Sequence, residues 1–146
     1  MGADHWLNAN MPSAIKAGIL YFAIVFAAGF LLGTLRVFIL LPLTGEFAAV
    51  ALELPVMLVI SWLACRKLIS RFSVPATTEP RLVMGALAFG LLLLAEVGLS
   101  GFAFNRSVAE YFALLQTAPG LLGLAGQIAF AFIPLLLLRH QRWPST

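Results

Sequence analysis

The sequence predicts an all-α integral membrane protein: a bundle of four transmembrane helices, with a short interfacial helix between the third and the fourth. Three observations lead there. Only 10% of the 146 residues are charged, where soluble domains average about 25%. Hydrophobic residues make up 62% of the chain, and the mean hydropathy is +1.01. The apolar residues also gather into four runs near the ~20 residues that a helix needs to cross a bilayer core. None of these runs shows the period-2 alternation of an outer-membrane strand. A single transmembrane domain over residues 1–146 is the expectation.

The elements follow in order. The first span is expected at 17–41, closed by Pro42 and the polar turn PLTGE. Its apolar length exceeds that of a signal peptide and only Lys16 is basic just ahead of it, so it is read as a retained helix. The second span is expected at 47–65 and stops at Arg66-Lys67. After the breaker-rich linker SRFSVPATTEPR the third runs over 82–104, and the fourth over 120–138, ending at RHQR. Between the last two, Ser107 and Glu110 stand at capping-box spacing. Val108, Tyr111, Phe112 and Leu115 then repeat at i, i+3, i+4, i+7, one apolar face of a short helix lying on the outer interface. That helix reads as a connector first and as a lid second.

Basic residues set the expected orientation. Lys16, the linker residues Arg66, Lys67, Arg71 and Arg81, and the tail residues Arg139 and Arg142 share one side of a four-span chain. The positive-inside rule makes that side cytoplasmic. Trp6, Trp62 and Trp143 fall near the same boundary, where amphipathic rings settle. Both termini are therefore expected inside, and a bacterial inner membrane is the expected location. The net charge of +3 is a topology signal, and no nucleic-acid partner is implied. The lone cysteine, Cys65, excludes an internal disulfide and reads as a small packing residue near a membrane edge.

Function is sought in the polar residues that the spans retain. Arg36, Glu53, Glu96 and Gln127 each lie about 8–12 Å below the outer end of their span, so one polar layer in the outer half of the membrane is expected. No comparable group is expected in the inner half. Charges in hydrocarbon cost about 2.5–3.5 kcal/mol each on insertion scales and usually face a bundle interior, paired. Ser100 lies one turn beyond Glu96. Gly29 and Gly33 share a face with Arg36 in a GxxxG, a pattern that allows close helix approach. Pro55 and Pro134 each free a backbone carbonyl four residues earlier, those of Ala51 and Phe130, and two such kinks would widen a pocket at this depth. One arginine against two glutamates leaves a carboxylate over, and desolvation favours the neutral form of such a group. A faint alignment of AGFLLGTLRV (28–37) with AFGLLLLAEV (88–97) sets Arg36 opposite Glu96, as in a parallel transporter repeat.

The leading expectation is a transporter of a small solute or ion, linked to protons, with Arg36, Glu53, Glu96, Gln127 and Ser100 lining its substrate or proton site. Its partners would be the lipid bilayer, a solute, ion or lipid in that site, and further copies of the chain or another membrane protein, since four short helices hardly enclose a pathway alone. The alternative is a non-catalytic subunit, assembly factor or lipid-binding protein whose polar layer is structural. A lipid-modifying enzyme ranks third, for want of a nucleophile–base pair. No cofactor is expected, and no metal: His5 and His140 lie far in depth from both glutamates, and no His/Cys set has ligand spacing.

Overall fold

A computed structural model describes the backbone of residues 2–141 and the side chains of residues 11–139. The chain is helical almost throughout: α1 (Gly2–Leu35), a π-helical turn (Arg36–Leu40), α2 (Leu41–Thr44), α3 (Glu46–Arg71), α4 (Thr78–Phe104), α5 (Val108–Leu115) and α6 (Ala118–Gln141). Four stretches, Met11–Thr44, Glu46–Arg71, Thr78–Phe104 and Ala118–Arg139, are long and apolar enough to cross a membrane. The four-helix membrane bundle is thus present, with each crossing longer than its expected core. His5 and Trp6 have side chains, as does His140, beyond the described set, and Arg142 and Trp143 lie outside the described residues.

The first crossing departs most from expectation. The helix does not end at Pro42 but passes through it. A proline ring clashes with the carbonyl four residues back; the turn before Pro42 is widened to π-helical winding, with the Leu41 N–H donating to the Arg36 carbonyl five residues earlier. Such bulges often mark functional positions, and this one begins at Arg36. The chain turns at Gly45, whose φ of 85° suits a residue without a Cβ. At the other end of α3, Ser73 takes a left-handed conformation and Val74 donates back to Ile69, which terminates the helix and tucks Val74 into the core.

The four crossings pack as a square. α1 lies against α3 and α4, and α6 lies against α3 and α4, so α1 faces α6 across the diagonal. The link between α3 and α4 therefore crosses the end of the bundle. The hairpins α1–α3 and α4–α6 sit side by side, and each ties itself together with its own polar bond, Arg36 to Glu53 and Gln127 to Glu96. A repeat related by an axis along the membrane normal would place α1 and α4 diagonally; they are neighbours, which corrects the expectation of that symmetry.

Close packing is concentrated at the end of the bundle that holds the 72–77 linker. Ala17, Tyr21, Cys65, Met84, Ala88, Phe130 and Ile133 belong to one buried cluster there. Cys65 is a fully buried part of it. Tyr21 stacks on Phe130 with ring centroids 4.3 Å apart, and its hydroxyl donates to the Phe130 carbonyl at 2.7 Å. That is the carbonyl Pro134 frees. The expected widening at Pro134 is thereby corrected: the orphaned acceptor is satisfied by a phenol reaching across the diagonal, and the kink is filled. Tyr21→Phe is expected to cost about 1–3 kcal/mol, the penalty for stranding a buried acceptor. Adding Pro134→Ala, which restores an N–H for that carbonyl, should return part of it. Thermal unfolding of both variants in mild detergent checks this coupling.

The linker end of the bundle also holds a buried polar group. Arg81, expected in the linker, occupies the first turn of α4 with 1% of its surface exposed. Its Nε donates to the Pro75 carbonyl at 3.1 Å and its Nη1 to the Pro134 carbonyl at 3.2 Å. Reading Arg81 as a topology signal missed this clasp of the linker to α6. The GxxxG is likewise used differently from expectation: Gly29 accommodates the Met57 side chain of α3. A close backbone approach between crossings lies elsewhere, where Gly85 of α4 meets the Ala131 carbonyl of α6.

Candidate functional site

The half of the bundle away from the 72–77 linker carries Arg36, Glu53, Glu96 and Gln127 and less of the buried core. On the α1–α3 side, Arg36 Nη1 donates to Glu53 Oε2 at 2.7 Å, with side chains 32% and 12% exposed. The π-helical turn sets the position of Arg36, and Glu53 stands two residues before Pro55 in α3. A charge-assisted bond of this length is among the stronger polar contacts. It answers which glutamate the arginine takes.

Glu96 is held in another way. Its Oε2 accepts from the Tyr111 hydroxyl at 2.7 Å, and its Oε1 accepts from Gln127 Nε2 at 2.6 Å. Three helices thus converge on one carboxyl group: α4 supplies it, α6 the amide and α5 the phenol. Among the described residues no cation pairs with it, since the ion pair formed there joins Arg36 and Glu53. No hydrogen bond among the described residues joins this cluster to Arg36 or Glu53. The polar residues therefore form two separate hydrogen-bonded clusters rather than one.

Two further buried polar atoms, one on Gln127 and one on Ser100 a helical turn beyond Glu96, have no hydrogen-bond partner among the described residues. Gln127 Oε1 is buried and accepts nothing, and Ser100 Oγ is buried and bonds to nothing among the described residues. Serine and threonine in helices usually bond back to the carbonyl four residues earlier, as Thr34, Thr44 and Ser61 do here. Ser100, 7% exposed, does not. Buried polar groups normally find partners; the Ser100 hydroxyl, one turn from Glu96, and the Gln127 amide oxygen are exceptions, as is Thr77 Oγ1 just before α4. Among the described residues no three of His, Cys, Asp and Glu come together.

Tyr111 is the site residue that sequence reasoning did not assign. α5 forms as expected, with Ser107 Oγ accepting from the Glu110 N–H at 3.1 Å, but its apolar face divides. Val108 and Phe112 stay exposed while Tyr111 turns inward and is buried. Burial, reinforced by the bond to Glu96, lifts the Tyr111 phenol well above its ordinary range, which keeps it a donor at any physiological pH. The available signal was that Tyr111 alone on that face carries a polar tip. The preceding turn is stabilised by Asn105 in a left-handed conformation and by Arg106, whose guanidinium lies 4.9 Å from the centre of the Phe104 ring. Compared with known proteins, the chain matches no family model, no curated protein and no solved structure.

Proposed function

We propose that this protein is a small membrane transporter of a solute or ion, linked to protons, in which Glu96 takes up and releases the proton and α5 covers it. The observation that carries this reading is a carboxyl group inside a membrane helix held only by uncharged donors, Tyr111 and Gln127. A group held so can change charge without breaking an ion pair, and intramembrane ionisable residues are functional by default because they are expensive to insert. The neighbouring open atoms, Ser100 Oγ and Gln127 Oε1, offer a transferred proton or a small polar solute its next contacts. Tight packing at the linker end with a sparser outer half fits a rigid base and a mobile mouth. Glu53, paired to Arg36 in the α1–α3 hairpin, offsets the arginine charge there. The reading includes a bacterial inner membrane, cytoplasmic termini and assembly into homo-oligomers.

The alternative reading, a non-catalytic subunit or assembly factor, is favoured by one observation: a third of Arg36 is exposed beside Glu53, where a partner helix could share the pair. Liposomes separate the two. Purified protein in vesicles loaded with a pH-sensitive dye should dissipate an imposed proton gradient. Glu96→Gln should fall to the rate of empty vesicles, and Tyr111→Phe should alter the rate while leaving the protein folded. Wild-type protein no faster than empty vesicles, or Glu96→Gln as fast as wild type, removes the transporter reading.

A further inference from the structure

The linker end of α3 presents a feature that the polar layer does not explain. Leu63, Arg66, Lys67, Ser70 and Arg71 line a surface groove of about 390 Å³. A second groove of about 290 Å³, lined by Leu58, Val59, Trp62 and Leu63, adjoins it. The two share Leu63. Positions 59, 62, 63, 66, 67, 70 and 71 follow one another at the three- and four-residue steps of a single helix face, which runs about 18 Å along α3 from Val59 to Arg71. One end of that face is cationic and the other apolar.

Basic residues at the end of a membrane helix act as topology signals and as partners for the helix dipole. Neither role requires a groove, and neither requires the apolar continuation. Arg66, Lys67 and Arg71 are exposed, and among the described residues no carboxylate pairs with them. Three uncompensated cations around the exposed Ser70 hydroxyl complement a phosphodiester. The groove that continues from Leu63 toward Trp62 and Val59 lies where an acyl chain attached to that phosphate would run.

We infer that this face of α3 is a binding site for an anionic phospholipid, drawn from the bilayer leaflet that the basic end of the helix meets. Arg66, Lys67, Ser70 and Arg71 hold the headgroup, and Leu63, Trp62 and Val59 seat the first part of a chain. Basic pockets at membrane-helix ends recognise lipid phosphates in this way. The site is separate from the Glu96 cluster and stands whether or not that cluster transports.

Trp62 supplies the probe. In a Trp6→Phe/Trp143→Phe background it is the one remaining tryptophan, and chains brominated near the headgroup quench it on contact. Full-length protein in mixed vesicles should reach half-quenching at about a tenfold lower mole fraction of brominated phosphatidylglycerol than of brominated phosphatidylcholine. Arg66→Gln/Lys67→Gln/Arg71→Gln should bring the two curves together. Rising salt should narrow the gap in the protein that retains its basic residues, a readout that holds even if the triple variant fails to insert. Coincident curves in the charged protein, or a gap unmoved by salt, overturn the inference. Recovery of emission on adding inorganic phosphate would assign the cradle to a soluble phosphate and overturn the lipid as its occupant.

Discussion

Gly85→Ala is expected to destabilise the bundle by about 3 kcal/mol, the upper end of the usual range for overpacking. A Cβ at this position would run into the Ala131 carbonyl oxygen, with Pro134 Cγ 3.6 Å away. The obstacle is backbone, so no rotamer change relieves it; α4 and α6 must part. Separation there would also disturb Arg81, which bonds the Pro134 carbonyl, and Phe130, which holds Tyr21. α4 contains its own control. Around Gly90 nothing lies within 4 Å of an added Cβ, and alanine is the better helix former by about 1 kcal/mol. Gly90→Ala should therefore be neutral or stabilising. Thermal unfolding of the two variants in one detergent decides the matter, and similar midpoints would contradict the close α4–α6 approach.

The two intramembrane glutamates should respond oppositely to neutralisation. Glu53→Gln leaves the Arg36 guanidinium in a membrane helix without its counter-charge, and breaking such a pair costs about 3–5 kcal/mol. The lower end is expected because Arg36 keeps a third of its surface exposed and its long stem can snorkel outward. Arg36→Met/Glu53→Met should recover most of that loss, since both charges go and apolar volume replaces them. Glu96→Gln, in contrast, should stay within about 1 kcal/mol of wild type. The Tyr111 hydroxyl can turn to accept, and a flipped Gln127 amide would present Oε1, which has no partner now. Unfolding of the single and double variants gives the test. Equal losses for Glu53→Gln and Glu96→Gln would make both clusters struts and weaken the proton-carrying role of Glu96.

The sequence by itself determined the class of the molecule, its four crossings, the capped helix α5 and the residues from which a polar layer must be built. These are local properties: apolar length, breakers and caps are written in consecutive residues. Only the tertiary structure decided the pairings. The spans are apolar on nearly every side, so periodicity does not reveal which face of each helix turns inward. That rotation determines that Arg36 takes Glu53 and leaves Glu96 to Gln127, and that the Gly85 face, rather than the GxxxG, meets another backbone. Tyr21, Tyr111 and Arg81 were illegible for a related reason. Each satisfies a group on another helix, 109 residues away for Tyr21, 53 for Arg81 and 15 for Tyr111, and such a partner becomes apparent only once the helices lie side by side.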